Sequence, residues 1–205
     1  MNDLPKSLDE TYARTLIGIR GEKREYTQRL FQCLTVSIRP LHLEELAEIF
    51  AIRFDDAAPP TFNPDWRLVD ARDAVLAACS SLISIIDVAG SQIVQFAHFS
   101  VQEFLTSERL ANSEGPLSYY HILPELAHTT LARISLSILL QLDEKIDRNA
   151  IRYCPLAPYA AQYWISHAKS GNVSSQVQDM MECLFDPTKP HFQHGSGYMT
   201  LTTIG

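Results

Sequence analysis

Glycine is scarce in this sequence, with eight glycines scattered over 205 residues. A phosphate-binding loop of the form Gly-x-x-x-x-Gly-Lys-Ser/Thr needs two glycines at a fixed spacing, because its backbone N–H groups and its lysine hold the nucleotide phosphates. None of the eight glycines forms such a pair. We therefore expect no ATP hydrolysis by this chain, which we interpret as a non-enzyme without a cofactor of its own.

Paired cysteines and long apolar runs are also missing. The four cysteines, at positions 33, 79, 154 and 183, form no Cys-x-x-Cys, which argues against a zinc site built from cysteine pairs. The longest uncharged apolar run, 74–86, is too short to cross a bilayer, and the first residues lack the apolar stretch of a signal peptide. These absences predict a cytoplasmic protein with reduced thiols and no membrane partner, and the scattered histidines predict no metal site.

Positive charge is in deficit, with 17 Lys+Arg against 24 Asp+Glu and a formal net charge of -7. A phosphate backbone favours a positively charged partner, so this balance argues against general binding to nucleic acid or to an anionic membrane. The rest of the composition, 46% hydrophobic and 20% charged, is typical of a globular chain with a core.

Helical patterns dominate the first eighty residues. Ser7-Leu8-Asp9-Glu10 has the form of a capping box, which predicts the start of a first helix. Apolar residues at helical spacing predict three further helices, over about 22–37, 43–50 and 68–81. The segment 53–67 between the last two contains three prolines and is predicted to be a loop.

The pattern then changes to that of a β-hairpin. Two β-rich runs, 82–88 and 93–99, flank a predicted turn at Gly90-Ser91. The next residues, Ser100 to Glu103, form a second capping box with Ser100 as the expected N-cap, and Phe99 and Phe104 have the spacing of a hydrophobic staple. Helices followed by a hairpin and another helix predict a winged-helix domain over residues 1–111.

The remaining sequence is predicted to be helical. Small polar residues at 112–116 mark a boundary, an apolar run from Pro124 to Leu142 predicts a buried helix, and alanine alternates with aromatic residues over 155–164. This composition is typical of stacked helical pairs of the TPR or HEAT kind, which we assign to a connector over 112–185. Residues 186–205 hold two prolines and three glycines and are predicted to be a flexible tail or linker. The predicted fold is thus mainly α with a small β-hairpin.

Five blocks of the sequence resemble one protein family in order and spacing. They are LPKSLDETY at 4–12, RPL at 39–41 with EEL at 44–46, ACSSL at 78–82, AHFSVQEFL at 97–105 and PLAPYAAQYW at 155–164. They are similar to the fungal NACHT-type STAND NTPases, which commonly carry C-terminal ankyrin repeats. The similar part is the winged-helix region of the GPI inositol-deacylase type and the helices after it.

The resemblance implies a module of an NLR-like switch that acts in fungal non-self recognition and programmed cell death. In such proteins a NACHT domain binds ADP or ATP, and the winged helix and connector pack on it until a ligand engages the sensor repeats. The partners expected for this chain are therefore the NACHT domain and the repeats of the same protein. Because neither a phosphate loop nor an ankyrin signature is present, we interpret the chain as a fragment or truncated product.

The family's name does not imply a lipase here. A hydrolase of that class places its nucleophile in Gly-x-Ser-x-Gly on a strand-to-helix turn. Ser196 has glycines at the wrong spacing, and Ser100 has none beside it. No catalytic residue is predicted.

His98 is the one candidate binding residue. In related switches a Met-His-Asp motif ends the winged-helix hairpin, and its histidine contacts the β-phosphate of bound ADP. Ala97-His98-Phe99 occupies the equivalent place, with the histidine retained and both neighbours replaced. The resemblance therefore implies that His98 senses nucleotide in the intact protein. The alternative is a structural histidine that donates a hydrogen bond to a backbone carbonyl and packs beside Phe96.

Two other functions remain open. A winged helix can bind DNA, but the third helix, taken as the recognition element, is expected to expose His42, Glu44, Glu45 and Glu48, and the wing carries no cation. A stand-alone helical-repeat adaptor would instead bind a partner through residues 118–185. That function needs one exposed aromatic patch made of Tyr119, Tyr120, Tyr159, Tyr163 and Trp164.

Overall fold

The computed structural model describes residues 6–21, 23–55, 58–79, 81–141 and 154–188, which are mainly helical with two small antiparallel sheets. The winged-helix part contains α1 (Lys6–Gly18), α2 (Lys23–Val36), β1 (Leu41–His42), α3 (Leu43–Ala47), β2 (Ile52–Asp55), β3 (Ala58–Phe62), α4 (Ala71–Cys79), β4 (Ile83–Val88), β5 (Ser91–Phe96), α5 (Phe99–Leu105) and α6 (Glu108–Ala111). The rest contains α7 (Pro124–Gln141), α8 (Ala157–Ala168), α9 (Val173–Gln176) and α10 (Gln178–Leu184). Short 3₁₀ turns cover Glu48–Ala51, Pro64–Trp66 and Gly115–Tyr120.

The wing is a three-stranded sheet with the order β1-β5-β4. β4 and β5 pair along their whole length from Ile83↔Phe96 to Val88↔Ser91, and β1 adds only Leu41↔Val94 and His42↔Ile93 on the other side of β5. β4 and β5 follow a helical pair, α3 and α4, as expected for a winged helix, and β1 directly precedes α3. The predicted hairpin is confirmed, and the two-residue strand β1 is an addition that the sequence pattern is too short to reveal.

The turn of the wing lies one residue earlier than predicted. Ala89 and Gly90 both have positive φ, +54° and +82°, and Val88 pairs with Ser91 across them. Two positive φ values define a type I′ turn, whose twist matches that of the flanking strands. The Asp87 side chain accepts a hydrogen bond from the Gly90 N–H at 3.0 Å.

The segment 53–67 is not simply a loop. β2 and β3 form a second hairpin with a register shift between Arg53 and Asp55, and the short 3₁₀ turn Pro64–Trp66 follows it. Pro59 and Pro60 lie in β3 of this two-stranded sheet, where each strand has an edge that needs no backbone donor. The prolines therefore restrict this sheet to two strands rather than preventing it.

One core cluster extends from α1 to α8, and a smaller cluster lies between α7, α8, α9 and α10. The large cluster includes Tyr12, Phe31, Leu105 and Tyr159, all buried. Buried positions thus continue from the winged-helix part into α7 and α8, while the predicted boundary at residue 112 stays a prediction. None of the helices in the described ranges is both long and apolar enough to cross a membrane.

The aromatic set of the helical part is mostly internal. Tyr120, Tyr159 and Trp164 are buried, and Tyr119 and Tyr163 are half-buried, so the five do not form one exposed patch. The single exposed aromatic patch that a helical-repeat adaptor requires is therefore absent from these five residues. The charged stretch 143–152 and most of the predicted tail at 186–205 lie outside the described residues.

Candidate functional site

His98 lies where β5 ends and α5 begins, as predicted, but it caps the helix itself. Its Nδ1 atom accepts a hydrogen bond from the Ser100 N–H at 3.2 Å, so His98 and not Ser100 is the N-cap of α5. The expected staple is also wrong, because Phe104 is buried whereas Phe99 is 66% exposed and its ring lies 4.4 Å from the His98 ring, centroid to centroid. The alternative of a structural histidine expects His98 to donate to a backbone carbonyl, and no such hydrogen bond is present within the described residues.

Ser100 is the centre of a buried hydrogen-bond chain behind His98. Its Oγ atom lies 2.7 Å from His98 Nδ1 and 2.8 Å from the hydroxyl of Tyr12 on α1. Ser100 has no exposed surface. A serine beside a histidine resembles a nucleophile and its base, but no substrate reaches a fully buried hydroxyl, so this pair is not a catalytic site.

A groove of about 520 Å³ runs beside the His98 ring. It is formed by the turn after α2 (residues 37–40), the end of β5 and the first turn of α5. Ile38 and Phe99 expose apolar surface at the groove, 49% and 66% respectively, and His98 is also exposed. Arg39 lines the groove too, but its guanidinium is engaged elsewhere. The exposed ring edge of His98 is therefore one of several polar groups in the groove, together with Ser37, Gln95 and Gln102.

Two buried glutamates on and after α3 are each held by an arginine. Arg39 donates two hydrogen bonds to Glu45, at 2.6 and 2.7 Å, and Arg67 donates two to Glu48, at 2.7 and 2.9 Å. Glu45 and Glu48 are only 5% and 3% exposed. The prediction that both glutamates face solvent is wrong, because bidentate pairing compensates the loss of hydration.

The recognition element also differs from the prediction. In a helix-turn-helix pair the second helix enters the groove of DNA, and the pair here is α3 and α4, with the β2–β3 hairpin between them. The helix to consider is therefore α4, whose exposed residues include Arg72 and Asp73. One cation beside one carboxylate gives this helix no excess positive charge for phosphate contacts.

A second polar chain, which we did not predict, crosses the helical part. The Nδ1 atoms of His128 and His167 lie 2.9 Å apart, His167 Nε2 lies 2.9 Å from the Tyr159 hydroxyl, and that hydroxyl accepts the Ile38 N–H at 3.1 Å. Ile38 belongs to the turn that lines the His98 groove. The available sequence signal was a histidine and a tyrosine two turns apart within the alanine-rich helix α8.

The protons of this chain have one consistent direction. The Tyr159 hydroxyl oxygen accepts from the Ile38 N–H, and of its two partners His167 Nε2 is the one that can accept the hydroxyl proton. With the proton placed there, His167 carries its own proton on Nδ1 and donates it to His128. Burial lowers the pKa of His167 to about 4, and the neighbouring His128 adds to the effect. Burial also lowers the pKa of His128 and raises that of Tyr159. All three groups are therefore neutral at pH 7.

Neither metal ligation nor thiol chemistry is indicated within the described ranges. No group of three or more His, Cys, Asp or Glu side chains there could hold a metal ion. Cys33 and Cys154 are buried, and burial raises the pKa of each thiol to about 12. A thiol that stays protonated is a poor nucleophile, and Cys154 instead donates a weak hydrogen bond to Glu48, at 3.7 Å.

Comparison with known proteins agrees with this architecture. The family model of the GPI inositol-deacylase winged helix domain matches residues 12–115. A curated relative, the azaphilone pigments biosynthesis cluster protein L of Monascus ruber, is 33% identical over 193 residues, which are 90% of this chain and 40% of that protein. The chain thus spans less than half the length of this relative, and no solved structure matches it. The residues matched and the wing observed in the structure agree, so the chain belongs to the family of the GPI inositol-deacylase winged helix domain.

Proposed function

We propose that this chain is a non-catalytic regulatory module of a larger NACHT-type STAND NTPase. In this proposal the winged helix packs on an NTPase domain, which binds ADP or ATP, and the stacked helices after it couple that domain to C-terminal sensor repeats. The chain contributes His98 as a nucleotide-sensing residue and performs no hydrolysis. Its partners are domains of the same cytoplasmic protein rather than a membrane or a nucleic acid.

One observation carries the proposal. His98 is held from behind through Nδ1, and the rest of its ring is exposed in a groove at the end of the wing hairpin. A structural histidine has no need of an open groove, whereas a sensing histidine needs a fixed ring with one free nitrogen. The apolar side chains Ile38 and Phe99 beside it suit a protein surface packed against this face.

Two further facts support a module rather than a complete enzyme. The chain matches 40% of the length of one curated relative, so that protein also contains other parts. The sequence holds no phosphate loop of its own. A switch in which another domain holds the nucleotide is consistent with both.

His98→Asn tests the role of His98 better than His98→Ala does. Asparagine is a strong N-cap, so its side-chain oxygen replaces Nδ1 and keeps α5 intact. Its amide is too short to replace the Nε2 end of the ring. In a full-length protein containing this region, we expect His98→Asn to preserve the unfolding midpoint and to weaken ADP binding at least about 10-fold, which corresponds to the loss of one charge-assisted hydrogen bond.

The comparison of His98→Asn with the wild type can also contradict the proposal. If ADP affinity, measured by isothermal titration, is unchanged in His98→Asn while the protein remains folded, His98 senses no nucleotide. Duplex DNA binding by the wild-type chain at physiological salt, with affinity that falls steeply as salt rises, would instead favour a nucleic-acid partner.

A further inference from the structure

We infer that Tyr12 and Ser100 are positioning residues that hold His98 as a neutral imidazole with its proton on Nε2. The groove would then present a hydrogen-bond donor, and its ligand would be an oxygen acceptor such as a phosphate group rather than a metal ion. This inference rests on the proposed function, because it specifies the chemistry and the control of the same site.

The direction of the hydrogen bonds follows from a donor that cannot reverse. The Ser100 backbone N–H donates to His98 Nδ1 at 3.2 Å, so Nδ1 must hold a lone pair. The Ser100 hydroxyl, 2.7 Å from the same lone pair, must supply the proton between them. The hydroxyl of Tyr12, 2.8 Å from Ser100 Oγ, then donates to Ser100.

Burial makes this arrangement specific. Ser100 has no exposed surface and Tyr12 has 8%, so water does not replace the hydroxyl donors. A proton on Nδ1 would face the Ser100 N–H, donor against donor, and would leave a buried group without an acceptor, which is unfavourable. A neutral imidazole without a proton on Nδ1 carries it on Nε2, and this nitrogen is left to the exposed side of the ring.

The chosen tautomer decides which ligands suit the groove. A ring nitrogen that carries a proton donates to an oxygen acceptor, whereas a metal ion needs the lone pair of an unprotonated nitrogen. Arg39 does not change this preference, since both of its terminal nitrogens donate to Glu45. The ligand expected at His98 is therefore an oxygen atom that accepts one hydrogen bond, and under the proposed function this atom belongs to a phosphate group.

The hydrogen bonds through Ser100 also connect His98 to a distant part of the sequence. Tyr12 lies on α1, 88 residues before Ser100, and α1 packs against α5 through Tyr12 and Phe104, whose ring centroids are 5.7 Å apart. A partner that displaces α1 removes the hydroxyl that orients Ser100. His98 then loses its fixed tautomer without any change in the groove itself, so α1 is a point of control over the site.

NMR of the full chain with ¹⁵N-labelled histidine tests the tautomer directly. We expect His98 in the wild type to show the Nε2–H form alone, and the double variant Tyr12→Phe with Ser100→Ala to gain a several-fold larger Nδ1–H population. Tyr163→Phe is the matched control, because Tyr163 is half-buried and its hydroxyl has no recorded hydrogen bond in the described part of the chain. A wild type with Nδ1–H or an even mixture overturns the inference, and so does a double variant that retains the wild-type signal.

Ligand titration separates this inference from the proposed function. Inorganic phosphate and ADP should shift the His98 Nε2 signal of the full chain, and Zn²⁺ should bind His98 less readily in the wild type than in the double variant. If Zn²⁺ binds His98 equally in both, the positioning role is wrong. If the tautomer is as expected but ADP affinity of a full-length protein is the same in the wild type and His98→Asn, the positioning role stands and the proposed sensing function fails.

Discussion

The winged-helix region (residues 6–111) and the helical segment (residues 124–184) both bury polar side chains, but they stabilise these side chains in different ways. Each contains a chain of uncharged hydrogen-bonded side chains, but the winged-helix region also buries the charged pairs Arg39–Glu45 and Arg67–Glu48. The helical segment relies on the neutral chain of His128, His167 and Tyr159. A buried ion pair depends on both partners being present. A neutral histidine chain depends on the absence of a proton. The two regions should therefore be destabilised by different changes: the winged-helix region by loss of an ion-pair partner, and the helical segment by acid.

Two tryptophans allow these failures to be observed separately. Trp66 lies beside the second hairpin of the winged-helix region, with Arg53 stacked 4.0 Å above its ring, and Trp164 lies in the small cluster of the helical segment near Phe185. Single-tryptophan variants, Trp164→Phe and Trp66→Phe, would each report the unfolding of one region by fluorescence.

Arg67→Ala should have the largest effect, because it leaves the carboxylate of Glu48 buried without its partner. The side chain of Glu48 is 4% exposed and that of Arg67 is 29% exposed, so the charge that remains is the less hydrated one. We expect a loss of about 4 kcal/mol in the free energy of unfolding, within the range for broken buried pairs. Urea unfolding followed by circular dichroism and by Trp66 fluorescence, in a Trp164→Phe background, measures it.

Two variants complete this prediction. Arg14→Ala removes an exposed arginine for which no ion pair is recorded in the described part of the chain and should change stability by less than about 0.5 kcal/mol. The double variant Glu48→Leu with Arg67→Met should recover most of the loss, since an apolar pair carries no buried charge. A double variant no more stable than Arg67→Ala would show that the pair is not the cause.

Acid should destabilise the helical segment specifically. The pKa of His167 is about 4 in the folded chain and about 6.5 in a model peptide, so the unfolded chain binds a proton first as the pH falls. The stabilisation from neutral His167 is complete above about pH 6.5 and is lost as the pH falls towards 4, on the order of 3 kcal/mol in total. Urea titrations at several pH values, read by Trp164 fluorescence, measure this slope.

The control for the acid effect is a second histidine of the same part of the chain. His121 lies outside the hydrogen-bond chain, so His121→Gln should leave the change of the unfolding free energy with pH as it is in the wild type. His167→Gln should reduce that change with pH, although this variant is less stable at pH 7. An equal slope in wild type and His167→Gln would assign the acid sensitivity to other groups.

Tyr159→Phe should have a smaller effect than acid. The change removes the acceptor of the Ile38 N–H and the donor to His167 but keeps the ring in the core. We expect a loss of about 2 kcal/mol, the cost of buried polar groups left without partners. The half-buried Tyr163, whose hydroxyl makes no hydrogen bond to any of the described residues, provides the matched change Tyr163→Phe, expected to cost less than about 0.5 kcal/mol. If Tyr159→Phe and Tyr163→Phe lowered the free energy of unfolding equally, the hydrogen-bond chain would have no part in stabilising the fold.

Local patterns predicted most elements of the winged helix but missed β1 and the β2–β3 hairpin, and they could not identify which side chains meet. The hairpin 83–96 and the helices α2 and α7 follow from periodicity, because their signal lies within one element. The Ser100–Tyr12 contact joins positions 88 residues apart, and Glu48 reads as a surface residue until Arg67 is placed beside it. The capping error has the same origin, since Ser100 has a typical N-cap sequence and its hydroxyl is engaged by a tertiary contact.

Ala89→Asn should have the smallest effect and the opposite sign. Ala89 adopts a φ of +54° in the type I′ turn of the wing, a conformation that costs an alanine roughly 1–2 kcal/mol and that asparagine tolerates better. We expect a gain of roughly 0.5–1 kcal/mol in the free energy of unfolding.

The Ala89→Asn change lies in the winged-helix region and touches neither polar network. If the large core cluster, which includes both Tyr12 and Tyr159, makes the two regions unfold together, Trp66 and Trp164 fluorescence will both shift to higher urea by the same amount. A shift of Trp66 without Trp164 would instead show that the regions unfold independently and would support a domain boundary near residue 112.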